Sequence, residues 1–227
     1  MRLMTWNIHG GLGSDWRWDL ARIVQVIERH APDIVALQEV DSRRTSRAKF
    51  ASPAFEYLAE AIGTHIAEAR LITAPDGEYG HVLMSKWPFV KKTLHDISFG
   101  RREPRAAIEA LVETPDGPLH ILAAHLGLRI RERQHQLLAL ERLCLPDNAP
   151  SVLLGDFNDW VWRGKVQKHL SQLMPARSWA RTYPSFAPAF SIDRIYVRPA
   201  EALLGTWTDR TAWRASDHLP VIAELGI

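Results

Sequence analysis

Apolar positions recur along this chain in two rhythms. In "DLARIVQVIERH" (19–30), Leu20, Ile23, Val24 and Ile27 fall at i, i+3, i+4 and i+7, which predicts an amphipathic helix. Pro32 breaks it. Phe55, Leu58, Ala59 and Ile62 repeat the spacing and predict a second helix. Two more are predicted over "RERQHQLLALERLC" (131–144), ending before Pro146, and near "KVQKHLSQLM" (165–174). The other apolar runs are short and β-prone. "RLMTWNI" (2–8) predicts a first strand. "DIVALQEV" (33–40) is nearly continuous in apolar residues, as in a strand buried on both faces. "HIAEARLIT", "HVLMSK", "KKTLHDIS", "RAAIEALVET" and "LHILAAHL" predict a strand-rich middle, and "SVLLGD", "FSIDRIYV", "EALLGTWT" and "LPVIAEL" the strands of the last third. "TPDGP" (114–118) carries an Asp-Gly turn signal and predicts a hairpin. No linker, low-complexity tract or repeat interrupts the chain, so the expectation is one α/β domain over residues 1–227, two packed sheets covered by outer helices.

Composition adds bounds. With 227 residues and 46% hydrophobic content the chain can bury a sizeable core. A net charge of +2 suits an anionic substrate but lacks the basic excess of a dedicated DNA-binding domain. The single cysteine, Cys144, excludes a disulfide framework and a cysteine zinc site. "MRLMTWNIHGG" lacks the apolar run of a signal peptide, and no segment has the length of a membrane-spanning helix. A soluble cytoplasmic protein, monomeric and without an obligate protein partner, is expected.

The unusual feature is where polar residues fall. Asn7, Glu39 and His125 end apolar strands. Asp156 and Asn158 end "SVLLG", Asp193 sits inside "FSIDRIYV", and Asp217 and His218 open the last strand. Singly, each has a plain structural reading: Asn7 starts a turn before Gly10-Gly11, Asp217 caps a turn, and His125 is a satisfied structural histidine. Together they gather at strand ends, where α/β folds place ligand sites. Glu39 with amide and carboxylate oxygens is hard-ligand material, suited to Mg²⁺ or Mn²⁺. No HxxxH or HExxH spacing supports zinc. Histidine beside aspartate, with a second aspartate on a neighbouring strand, orients an imidazole for proton transfer or charge stabilisation. The set points to metal-assisted phosphoester hydrolysis.

The ordered segments "TWNIHGG", "DIVALQEVD", "YGHVLMSKWP", "PRAAIEA", "AAHLG", "LLGDFND", "SIDRIYV" and "SDHLPV" resemble the endonuclease/exonuclease/phosphatase superfamily over nearly the whole chain, above all its small bacterial members. That superfamily includes deoxyribonuclease, abasic-site endonucleases, inositol polyphosphate 5-phosphatases and neutral sphingomyelinases. The resemblance implies a four-layer α/β sandwich, two mostly antiparallel sheets face to face with helices outside. It implies that Glu39 binds the metal, supported by Asn7 and Asp217. It implies that Asp156 orients or activates water, Asn158 orients phosphate, and His218 acts beside the scissile phosphate, held by Asp193. His125 matches a further histidine and Arg105 a phosphate-contacting arginine. Glu78 is either a partner of His125 or an exposed turn residue.

The leading substrate expectation is a nucleic-acid phosphodiester; the competitor is a phospholipid or other small phosphodiester. A non-catalytic binding module is the third reading, and it is disfavoured because every acid, amide and histidine position is filled. "RRTSR" (43–47), "GRR" (100–102) and "RIRER" (129–133) are either solvated faces or phosphate grips. Trp16, Trp18, Trp160, Trp162 and Trp213 fall in predicted loops beside these segments, where tryptophans can stack bases or sit at a lipid headgroup layer.

Overall fold

The computed structural model describes residues 1–43, 53–63, 65–144, 150–160 and 164–226. Twelve strands form two six-stranded sheets. In the first, β1 (Arg2–Asn7) and β2 (Ile34–Asp41) lie side by side, flanked by β12 (Val221–Leu225) and β11 (Leu203–Thr208) on one side and β4 (Gly77–Ser85) and β3 (His65–Ala74) on the other. In the second, β7 (Gly117–His125) and β8 (Ser151–Asp156) are central. They are flanked by β6 (Ala106–Thr114) and β5 (Phe89–Asp96), and by β10 (Asp193–Arg198) and β9 (Ala176–Arg177). Two pairings are parallel, β1 with β2 and β7 with β8; the others are antiparallel. Each parallel pair needs a crossover. Helix α1 (Leu20–His30) lies in the chain between β1 and β2, and α3 (Ile130–Leu143) between β7 and β8. The molecule is thus built from two similar βαβ halves.

Alternation along the strands sorts side chains into layers. Leu3, Ile34 and Leu83 from the first sheet meet Ile108, Ile121 and Leu154 from the second in the central core. Met4, Trp6, Val35 and Leu37 point the other way, against Ile23 and Ile27 of α1 and against Phe55 and Leu58 of α2 (Ala54–Ile62). On the far side Leu122, Leu153 and Tyr196 pack against Leu137 and Leu140 of α3 and Val166 and Leu170 of α4 (Lys165–Leu173). The order helix, sheet, sheet, helix is the expected four-layer sandwich. Among the described residues no helix is long and apolar enough to cross a membrane.

Three boundaries differ from the sequence reading by three residues or more. The strand expected at 81–86 begins at Gly77, because "PDG" recurs at 75–77 and closes a β3–β4 hairpin, with Ala74 opposite Gly77. The strand expected at 190–197 begins at Asp193, after an irregular segment. Asp217 and His218 sit in the loop before β12, not on it. Pro146 and residues 44–47 of "RRTSR" lie outside the described residues.

Candidate active site

The carboxyl ends of the two parallel pairs face one another and position the polar residues. Opposite β4, the register of β2 shifts between Leu37 and Val40, and Glu39 takes a left-handed φ of 57°. A bulge of this kind re-aims a side chain out of the regular pleat. Here it brings Glu39 Oε1 to 2.8 Å from Asn7 Nδ2, at the end of β1. The same Asn7 amide donates to Asp156 Oδ2 at 3.0 Å, joining the two sheets. Asp156 ends β8, and its Oδ1 accepts the Asn158 N–H at 2.9 Å. Asn158, also left-handed (φ 49°), donates from Nδ2 to the Leu126 carbonyl at 2.9 Å.

On the other side Asp193, fully buried at the start of β10, holds His218. Its Oδ2 lies 2.9 Å from His218 Nδ1 and accepts the Thr182 hydroxyl. The Ser216 hydroxyl accepts the His218 N–H, and the Trp6 indole donates to the His218 carbonyl. Burial opposes charge on His218, but Asp193, then Asp156 and Asp217, raise its pKa to about 10. Asp156 is raised to about 7 by burial and by the negative Asp193. His218 is therefore an imidazolium at neutral pH, and Asp156 is poised to take up a proton. Asp217 stands at the rim, its Oδ1 3.4 Å from His9 Nδ1 and 4.0 Å from His218 Nε2.

His125 is the opposite of His218. Burial and the neighbouring Arg105 push its pKa well below the usual histidine value. Arg105 Nη1 lies 3.1 Å from His125 Nδ1. A guanidinium only donates, so Nδ1 is the acceptor on that side; Nε2 lies 3.3 Å from Asn158 Nδ2 and 3.6 Å from Asp156 Oδ2, and with Nδ1 accepting it carries the ring proton toward the carboxylate. Arg105 is buried and also paired with Glu103 at 2.9 Å. Glu78, the alternative partner for His125, instead pairs with Arg70 diagonally across the β3–β4 hairpin, where Glu78 is opposite Thr73 and Arg70 opposite Gly80. Of "RIRER", Arg133 is buried and donates to the Gly127 and Leu128 carbonyls, while Arg129 and Arg131 are exposed.

Three neighbours of the site escape a sequence reading. His81, inside the apolar run of β4, is fully buried and pushed down to about 3 by burial and by Arg105. Its only sequence signal is a polar residue within that run. Thr182 and Tyr183 come from the irregular segment before β10; the Tyr183 ring packs 4.9 Å from the His218 ring. No periodic pattern marks them.

The donor set fits a divalent cation. Asp156, Asp193 and His218 each offer a ligand atom within 4.8 Å of the others. Because Asp193 Oδ2 and His218 Nδ1 already face each other, the remaining oxygen capacity lies on Glu39, on Asp156 and on Asp193 Oδ1, which is buried and without a hydrogen-bond partner among the described residues. Crowded, under-satisfied carboxylate oxygens are hard ligands in need of positive charge. The metal set read from sequence, Asn7, Glu39 and Asp217, borders this group.

Fold and site together define an α/β sandwich with an acid–amide–histidine cleft between two βαβ halves. Residues 4–218 match the Endonuclease/Exonuclease/phosphatase family, and the chain belongs to that family, whose members include nucleases, phosphatases and phosphodiesterases. The uncharacterized protein YbhP of Escherichia coli (strain K12) is 31% identical over 241 residues, with 99% of this chain and 95% of that protein covered. An endonuclease/exonuclease/phosphatase from Beutenbergia cavernae DSM 12333 superposes at a TM-score of 0.77 with 23% identity, covering 100% of this chain and 72% of that one. A mannosyl-6-phosphatase of Bacteroides thetaiotaomicron VPI-5482 superposes at 0.71 with 20% identity, covering both chains completely.

Proposed function

We propose that this protein is a divalent-metal-dependent phosphodiester hydrolase acting on nucleic acid. The observation that carries the reading is the convergence of Glu39, Asn7, Asp156, Asn158, Asp193, His218 and His125 on one cleft. Glu39, with Asn7 and Asp217 beside it, would hold the cation, which would supply charge neutralisation at the phosphate. Asp156, whose proton affinity is raised by burial and by the negative Asp193, accepts the proton of the attacking water, while Asp193 keeps His218 protonated. His218, oriented by Asp193, faces the developing negative charge as an imidazolium. His125, neutral with its proton on Nε2, and the Asn158 amide donate hydrogen bonds to phosphoryl oxygens. Arg105 acts through His125.

Nucleic acid is favoured by the aromatic residues beside the cleft. Trp160 meets Tyr183 edge-on at 5.0 Å, and Tyr183 reaches His218. A second reading, a phospholipid diester, is supported by Leu128 and Ile130, 64% and 63% exposed among Arg102, Arg129 and Arg131. Hydrolysis of plasmid DNA, short single strands, a phospholipid panel and an aryl phosphodiester, in Mg²⁺ or Mn²⁺ with His218→Ala as blank, tests both. Turnover of DNA that disappears in the variant supports the first reading. Turnover of lipid alone replaces it with the second.

A further inference from the structure

Next to the cleft lies a cavity of about 180 Å³ that no step above uses. Its walls are Trp160, Trp179 and Phe190, with Arg177, Arg181 and Arg194 among them. Among the described residues Asp159 is the one carboxylate on the same wall, so guanidinium charge is in excess there. Trp179 is 62% exposed although the Arg177 guanidinium lies 3.5 Å from its ring centroid. An indole backed by a guanidinium is a platform for another flat ring. Phe190, 41% exposed, meets Trp160 edge-on at 5.3 Å.

Arg194 adds a third guanidinium to the same wall. It is 3% exposed, and its Nη atoms approach the Asp159 carbonyl and carboxylate at 3.3 and 3.7 Å. Its Nε has no hydrogen-bond partner among the described residues, and neither does the buried Ser191 Oγ on the same wall. A buried donor left unmatched costs stability unless something pairs with it.

The pocket is built from the segment that supports the site. Thr182, between Arg181 and Tyr183, donates to Asp193, and the Leu219 N–H donates to the Thr182 carbonyl. Trp160 touches Tyr183, and Tyr183 packs on His218. A phosphodiester held at His218 therefore has this pocket as its neighbour.

We infer that this pocket binds a nucleotide, its base against Trp179 and Phe190 and its phosphate on the arginines. The inference rests on the phosphodiesterase reading for its role: the pocket would hold the nucleotide flanking the cleaved bond. Its binding chemistry stands independently of that reading. Flat rings and guanidiniums suit a base and a phosphate; an acyl chain would gain nothing from either geometry.

Equilibrium dialysis of the full chain with adenosine 5′-monophosphate, without divalent cation so that nothing is turned over, tests it. The expected result is saturable binding of one nucleotide per chain, weakened about tenfold or more in Trp179→Ala and in Arg181→Glu, both substitutions of exposed side chains. Adenosine and ribose 5-phosphate should each bind about tenfold more weakly than the nucleotide. Displacement by a short single strand would assign the pocket to a nucleotide within a strand; failure to displace would assign it to a free nucleotide. No binding, binding unchanged in both variants, or ribose 5-phosphate as tight as the nucleotide would overturn the inference. Failure of the hydrolase reading would appear elsewhere, as absence of turnover on every phosphodiester while nucleotide binding persists.

Discussion

Two histidines in one cleft differ in charge because their surroundings differ. Asp193 holds His218 as an imidazolium, while burial and then Arg105 hold His125 neutral. Replacing His218 by alanine should lower phosphodiester turnover by roughly 10²- to 10⁴-fold. Circular dichroism should show the fold retained. Asp193→Asn keeps an acceptor but removes the charge that most raises the imidazole. Without divalent cation, the ring titration of His218 by NMR should move down from about 10 in that variant. An unmoved titration would assign the shift to other groups. Most of these residues were legible in the sequence as polar side chains ending apolar runs. His81 and Thr182 were not: one is hidden within an apolar strand, and the other belongs to a segment whose path depends on what it packs against.

At the scale of elements, close strand approach sets the geometry of the cleft. Gly155 lies in β8 at φ 149°, and a Cβ there would sit 1.8 Å from the Ala124 carbonyl oxygen in β7. Gly155→Ala must push the two strands apart, at a cost of about 1–3 kcal/mol or more. Since His125 and Asp156 are the next pair along that ladder, thermal stability and turnover should fall together. Asp33, just before β2, is a different kind of tie. It accepts the Arg2 N–H at 2.7 Å and the Lys86 ammonium at 2.9 Å. Burial works against its charge, but these two partners outweigh it and hold the carboxyl below its usual value. The unfolded chain thus takes up this proton more readily as the solution is acidified. The stabilisation is complete above the unfolded pKa of about 4 and disappears as pH falls through the lower folded value. Asp33→Asn should be less stable than wild type at pH 7, and the difference in urea midpoint should shrink toward pH 3.

For the whole molecule, the site exists only where the two βαβ halves meet. Asn7 of the first half bonds Asp156 of the second, so an ion drawn to these oxygens favours the assembled fold. Mg²⁺ or Mn²⁺ should raise the melting temperature with the logarithm of its excess over Kd, and EDTA should reverse the shift. Glu39→Gln should lose most of that response. A shift of wild-type size in Glu39→Gln would move the cation away from this side of the cleft.

The sequence by itself determined the layers. Helical and strand periodicities, read from apolar positions, place "DLARIVQVIERH" outside and "DIVALQEV" inside, because burial rewards any arrangement that hides those faces. It also marked Asn7, Glu39, Asp156 and His218 as polar residues at costly positions. Only the tertiary structure decided their relations. The bulge that turns Glu39, the choice of Arg105 rather than Glu78 beside His125, and the aromatic pocket walled by residues 177–194 all depend on contacts between segments far apart in the chain. Such contacts leave no local period, and each is settled by which charge or ring the packed sheets bring within reach.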